Sequence, residues 1–240
     1  MKIKDYFDET ALKLSKNKLA KMLLSAPYKA YRKRVSKKAL DNFHKYGFEA
    51  LVQFNKCLTD NGYNYSLAFG SLLGAVREHD FIPHDDDIDT WMWIDDYKPE
   101  LIDLLEHYGF KHKVSFSVEN DRFAKEDTFE YKGVLVDIFY VYRDDKNIAY
   151  CCYFETQEGC ATRSLSIEKY GGLASRKIYL PLSADFKIIE FKGIEVSIPS
   201  NYNEVLKKVF GDDYMTPIPG WTHENFSELM PNWLCIFKEF

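Results

Sequence analysis

Apolar positions recur at mostly helical spacing over residues 39–61, where Phe43, Tyr46, Phe48, Leu51, Val52, Phe54 and Leu58 stand among polar neighbours. The pattern predicts a helix packed on the core and ending at Asn61-Gly62, a pair suited to a left-handed cap. Ahead of it, Leu12, Leu19, Leu23 and Leu24 lie among Lys13, Lys16, Lys18 and Lys21, predicting a basic, loosely amphipathic helix over 10–25 that Pro27 stops or restarts. Beyond residue 61 the pattern shortens. Tyr65 to Phe69 reads as a short strand, Gly70 to Arg77 as a turn entering a short helix, and Ile88 to Ile94 as a second strand after Pro83. Pro99 and Gly109 bracket a helix through Leu101, Ile102, Leu104, Leu105 and Tyr108. Strands follow over 133–141, 148–154 and 177–180, with a hairpin from Phe186 through Lys192-Gly193 to Ile198. Asn201 or Asn203 caps a further helix to Phe210, closed by Gly211. With no internal repeat and no linker, the pattern predicts one α+β catalytic core over 41–240 behind a basic helical extension over 1–40.

Composition supports a folded enzyme, since 46% hydrophobic and 16% aromatic residues exceed what a disordered chain carries. Charge is uneven. Of 32 Lys/Arg and 37 Asp/Glu, residues 1–46 hold 13 and 4, a balance of +9, so the remainder carries 19 − 33 = −14. An acidic body argues against nucleic acid as a partner, which demands a broad positive surface, and suits an anionic substrate that arrives with cations. The basic stretch over 13–38 reads either as a solvated helix face or as a peripheral contact with anionic lipid or a lipid-linked glycan. No apolar run is long enough for a membrane span and the first 25 residues are too charged for a secretory signal, so the expected location is cytoplasmic, with peripheral contact at the inner membrane face. Cys57, Cys151, Cys152, Cys160 and Cys235 lack paired C-x-x-C spacings, so reduced thiols are expected, with the 151, 152 and 160 group a minor metal candidate.

The chemistry concentrates in Phe69-Gly70-Ser71-Leu72-Leu73-Gly74-Ala75-Val76-Arg77 and Phe81-Ile82-Pro83-His84-Asp85-Asp86-Asp87-Ile88-Asp89. On an extended strand Asp85, Asp87 and Asp89 share one face, and three converging carboxylates repel unless a hard cation such as Mg²⁺ sits among them. Gly70 and Ser71 offer slim backbone whose amides can face a phosphate. The glycine spacing fits neither a dinucleotide loop nor a P-loop. An EF-hand also fails, because Thr90 and Asp96 stand where that loop needs Gly and Glu. Asp137, alone within the apolar run Val134-Leu135-Val136-Asp137-Ile138-Phe139, is the candidate third acid, and its bland alternative is a carboxylate bonded to a neighbouring loop. Arg77 reads equally as a clamp on a diphosphate or as a structural partner of nearby acids. His79 and His84 read as bystanders or substrate contacts. Trp91, Trp93 and Trp221 read as core and rim packing or as an aromatic cage for a quaternary ammonium.

These residues resemble the LicD family, which includes fukutin and fukutin-related proteins. Its hallmark is Gly-[ST]-Leu-Leu-Gly-Ala-x-Arg followed by Ile-Pro-Trp-Asp-x-Asp-x-Asp, and the match here runs from Phe69 to Asp89 with His84 in place of the Trp. Val136-Asp137-Ile138-Phe139 and the segment Phe210 to Pro217 are similar to its later acidic strand and closing element. The resemblance implies a polymerase-β-like nucleotidyltransferase core, a mixed sheet with flanking helices. It also implies Mg²⁺, one or two ions with Mn²⁺ a substitute, held by Asp87, Asp89 and Asp137, with Gly70, Ser71, Arg77 and Asp85 on substrate. The implied reaction moves a phospho-alcohol such as phosphocholine from a CDP-linked donor, CDP-choline for example, to a sugar hydroxyl of a cell-surface glycan. Lipopolysaccharide, capsule or teichoic acid would be the acceptor, and CMP the product. Nucleotidyl transfer by attack on an α-phosphate and a non-catalytic metal-binding scaffold are the alternatives.

Overall fold

A computed structural model describes residues 18–217 and 227–240, with side chains described from residue 33 onward. The first part of the expected helix over 10–25, and Trp221, lie outside the described residues. Helix α1 spans Lys18–Asp60. It crosses Pro27 and residue 40 without a break, where the sequence pattern predicts a stop or restart at the proline. One proline removes one backbone hydrogen bond, and the long helix-forming stretches on both sides carry the helix past it. From Phe43 onward α1 beds into the core through Ala50, Leu51, Phe54, Cys57 and Leu58, all fully buried. Asn61 and Gly62 close it by hydrogen bonds to the carbonyls of Leu58 and Thr59.

Strand β1 (Ser66–Leu67) leads into α2 (Phe69–Leu73) and a π-type turn, Gly74–Glu78. Next come β2 (Asp87–Trp93), α3 (Glu100–His107), β3 (Lys111–Val118), β4 (Ala124–Tyr131), β5 (Val134–Arg143) and β6 (Ala149–Glu155). The chain finishes with α4 (Arg163–Tyr170), β7 (Leu173–Leu180), β8 (Phe186–Phe191), β9 (Ile194–Pro199), α5 (Tyr202–Phe210) and β10 (Ser227–Glu239). Among the described residues eight strands form one mixed sheet in the order β1-β2-β5-β4-β3-β10-β7-β6, and β6 also meets the end of β5 through Tyr142 and Tyr150. Strands β8 and β9 make a separate hairpin. The architecture is α+β, as the pattern predicts, with the large mixed sheet and flanking helices that the family resemblance implies. Strands β3, β4 and β10 and helix α4 carry no clear sequence signal and are additions to that expectation.

The pair β2–β5 is parallel, with Asp89 opposite Asp137 and Asp87 opposite Leu135. Ile88, Met92, Val134, Val136 and Ile138 are fully buried and anchor both strands in the core. Helix α1 packs against both strands. Gly74 is required by close approach. A Cβ there would lie 2.6 Å from the Asp80 carbonyl oxygen and 3.2 Å from the Ile82 nitrogen, both backbone atoms that cannot swing away. Gly74→Ala must therefore open the turn, and it is expected to cost about 2 kcal/mol, read as a fall in Tm of roughly 4–8 °C by calorimetry. An unchanged melt would show that the turn is not held as described.

Candidate active site

The turn at Ala68–Ser71 grips the strand that carries the acids. The Ala68 N–H donates to the Asp89 carbonyl at 3.0 Å, and the Asp89 N–H donates to Ser71 Oγ at 3.0 Å. One strand across, the Thr90 hydroxyl donates to the Asp137 carbonyl at 2.8 Å. These bonds fix the backbones of Asp89 and Asp137 relative to each other. Carboxylate oxygens of Asp87, Asp89 and Asp137 then lie within 4.8 Å of one another, all three residues half-buried. Two come from β2 and the third from its parallel neighbour β5, so the cluster is a product of register.

Electrostatics follow from that crowding. Burial, then the charges of Asp137, Asp86 and Asp85, push the Asp87 carboxyl up to about 7. Burial with Asp87 and Asp137 raises Asp89 well above the usual range. Burial raises Asp137 to about 6, against the pull of its cross-strand partner Thr128 and of the Arg163 guanidinium. Asp137 Oδ1 is buried without a protein hydrogen-bond partner. An orphaned acceptor beside two more carboxylates fits a hard, oxygen-seeking divalent cation such as Mg²⁺.

The remaining residues singled out in the sequence are placed as follows. Asp85 precedes β2 instead of sharing its ladder, and a Cβ on Gly70 would stand 2.7 Å from Asp85 Oδ2, so the glycine lets that carboxylate lie against the turn. Asp85 is raised to about 6 by burial, eased by His84. The alternation of 85, 87 and 89 thus gives way to a cluster of 87, 89 and 137 among the described residues, because the chain turns before Asp87. Ser71 is buried with its hydroxyl committed to Asp89. Arg77 Nε donates to Glu78 Oε1 at 2.7 Å and Nη1 to the Tyr214 carbonyl at 3.2 Å, so Arg77 ties the closing segment after α5 to the π-type turn. His84 is exposed at the cavity edge, and His79 caps the turn in a left-handed conformation.

Above the acids lies a cavity of about 530 Å³. Gly70, Arg77, His84, Asp85, Asp87 and Asp89 reach it, with Phe69, Phe139, Tyr153, Phe210 and Tyr214 forming aromatic wall. Sequence reasoning missed Tyr153 and Ile178, which arrive from β6 and β7 and carry no motif. It also missed Glu126, buried on β4 beside Thr128 and raised well above its usual range by burial and the Asp137 charge, and Arg163, at the start of α4, whose guanidinium pulls Asp137 down. Nothing in a run reading Lys125-Glu126-Asp127 marks Glu126 out before the strands are paired.

An α+β domain whose adjacent parallel strands crowd three carboxylates, two of them lining a cavity, beside a glycine-bearing turn has the donor set that a hard cation requires. The family described as LicD/FKTN/FKRP, nucleotidyltransferase domain, matches residues 62–201, more than half of the chain, and the chain belongs to that family. The chain is 28% identical over 182 residues to ribitol-5-phosphate transferase FKTN of Mus musculus, covering 75% of this chain and 35% of that protein. Against the same protein of Homo sapiens it is 24% identical over 180 residues, again 75% and 35%. It is 36% identical over 76 residues to lipopolysaccharide cholinephosphotransferase LicD of Haemophilus influenzae, covering 32% of this chain and 26% of that one. The chain spans about a third of the length of the FKTN relatives it matches. It is a member of a family whose named relatives are phospho-alcohol transferases.

A raised carboxyl pKa means that the native state holds its proton where the unfolded chain, near 3.8, has lost it. Below about pH 4 both states are protonated and the crowding costs nothing. As pH climbs toward 7 the unfolded chain ionises first, so native stability falls. Metal-stripped protein is therefore expected to melt higher at pH 5 than at pH 8, with the difference shrunken in Asp137→Asn and at saturating Mg²⁺. Equal pH slopes in wild type and variant would contradict the crowding.

Proposed function

We propose that the chain transfers a phospho-alcohol, phosphocholine or a similar group, from a CDP-linked donor to a sugar hydroxyl of a cell-surface glycan in a divalent-metal-dependent reaction that releases CMP. The observation that carries this reading is the trio Asp87, Asp89 and Asp137 within 4.8 Å, one oxygen of Asp137 unpartnered, under a cavity large enough for much of a nucleotide donor. In this reading the fold is polymerase-β-like, residues 41–240 are the catalytic domain, residues 1–40 are a basic extension, and the protein works in the cytoplasm. The names of the relatives support the reaction class.

Asp87, Asp89 and Asp137 would hold one or two Mg²⁺ ions, which when bound neutralise the donor diphosphate and polarise the phosphorus under attack. The protein supplies the rest. Asp137, reached from the neighbouring strand, takes the proton from the acceptor hydroxyl as its oxygen closes on the phosphorus that bears the alcohol. The bond from that phosphorus to the bridging oxygen of the diphosphate breaks in line, CMP carries away the electron pair, and the phosphodiester remains on the sugar. Arg77, at the cavity wall, offers positive charge to the departing phosphate while keeping its bond to the Tyr214 carbonyl. The aromatic wall excludes water that would otherwise hydrolyse the donor.

Incubating the protein with CDP-choline, CDP-ribitol and related donors, and following CMP by chromatography, tests this directly. Asp87→Asn, Asp89→Asn and Asp137→Asn are each expected to fold, to melt no lower than wild type in metal-free buffer, and to lose CMP release by about a thousandfold or more, about 4 kcal/mol of barrier. Wild-type turnover by Asp87→Asn sinks the reading, and release of pyrophosphate or a nucleotide-tagged product assigns nucleotidyl transfer instead. Absence of any Mg²⁺-dependent nucleotide binding in calorimetry assigns a scaffold.

A further inference from the structure

Helix α1 changes character at about residue 40. From Phe43 to Leu58 one side is sunk in the core, whereas every residue from Lys33 to Lys38 is solvent-exposed or nearly so. Lys33, Arg34, Lys37 and Lys38 have no carboxylate partner among the described residues, and Val35 is the one large apolar side chain exposed among them. At about 100° per residue these four cations, with exposed Lys45, fall within roughly 140° of arc, turned away from the stripe of Phe43, Gly47, Ala50 and Phe54. The same helix supports the loop that enters the carboxylate cluster. The Phe43 ring meets Phe81 edge-on at 4.8 Å, Phe81 meets Phe191 at 5.1 Å, and His44 Nε2 lies 3.0 Å from the Pro83 carbonyl. His84 and Asp85 follow immediately. Between Lys38 and Phe43 the helix rises only about 8 Å, so the cationic stripe and the active-site loop are near neighbours.

We propose that this stripe of α1 docks the protein on an anionic lipid surface, holding the loop from Phe81 to Asp85 beside the headgroups. Charge decides the occupant. Residues 47–240 carry a balance of −14, so an anionic bilayer repels the body and attracts this end alone, which orients the molecule as well as binding it. Among the described side chains of this stretch the single exposed Val35 makes no apolar face to insert, and no helix among the described residues is long and apolar enough to cross a membrane. The attachment is electrostatic and reversible. It stands independently of the donor chemistry, and it would bring a lipid-borne acceptor to the cavity if the transferase reading holds.

The test is co-sedimentation of the full chain with vesicles of phosphatidylcholine alone or mixed with phosphatidylglycerol. Binding is expected only to the mixed vesicles. The fourfold variant Lys33→Gln, Arg34→Gln, Lys37→Gln, Lys38→Gln should lose about fivefold in partitioning per cation, about 1 kcal/mol each, or several-hundred-fold in all. Its thermal melt and its hydrolysis of a soluble CDP-linked donor should match wild type, so a failed vesicle result and a failed donor result point to different ideas. Equal binding by the variant, equal binding to pure phosphatidylcholine, or no binding by wild type overturns the proposal. So does capture by duplex DNA in preference to mixed vesicles. If the variant melts early, the salt response of wild type decides, since binding that survives about 1 M salt is not electrostatic.

Discussion

Three carboxylates held within 4.8 Å repel one another, and every feature around them serves to prevent their drifting apart. At an effective dielectric of about 20, two full charges at that distance cost about 3–4 kcal/mol, comparable with several core methylenes. Side-chain freedom alone would relieve it. What resists is backbone: Ala68 and Ser71 on one side of Asp89, Thr90 on the Asp137 carbonyl, and the parallel ladder that sets residue 89 against residue 137. The strands cannot slip, because a shift of one residue would turn Ile88, Val136 and Ile138 out of the core. Hydrophobic burial thus sustains an electrostatic arrangement that is unfavourable until a cation joins it.

The legible part of the chain was the part where chemistry is local. Gly70, Gly74 and the Asp-rich run sit within twenty residues, so their spacing announces a turn and an acidic strand without any long-range pairing. Asp137 was readable for the opposite reason, a lone carboxylate in an apolar strand. Strand β4 was not readable. Lys125-Glu126-Asp127 carries no apolar alternation, yet Asp127 is fully buried between the Lys125 ammonium at 3.3 Å, His112 Nε2 at 3.2 Å and the Tyr140 hydroxyl at 3.0 Å. Burial alone would raise its carboxyl, but His112, Lys125 and Ser115 outweigh that and hold it below the usual range. The partners come from β3, β4 and β5, so only the assembled sheet explains the strand. Strand β10 hides behind Pro231 and Asn232, which interrupt the apolar pattern where its register against β7 shifts between Met230 and Leu234.

The buried network on β4 also bears on the site. Lys125 and Asp127 alternate with Glu126 and Thr128, and Thr128 stands opposite Asp137. Locking one side of β4 by ion pairs fixes the other, where Thr128 bonds the Asp137 carboxyl and Glu126 is itself raised by burial and by the Asp137 charge. Arg163, stacked over Phe116 at 4.8 Å, supplies the opposing field on both Asp137 and Glu126. Acids on β2 and β4 and a cation on α4 thus surround a single carboxylate on β5.

The wall of the cavity follows the same economy of polar groups. Arg77 is engaged by Glu78 and the Tyr214 carbonyl, the Tyr214 hydroxyl by Asn203, Tyr153 by Ser227 and Thr216 by Asp213. With those side chains committed to the protein, a ligand meets aromatic faces above and carboxylates below. Hydrogen-bonding walls reject a ligand that lacks one hydroxyl, because they leave a buried group unpaired, whereas walls of this kind select by shape and by contact with ring faces. In the proposed reading, ligand orientation then comes from charge, that of Arg77 at the wall and that of the acids at the floor, and the floor rests on the register that sets Asp89 beside Asp137.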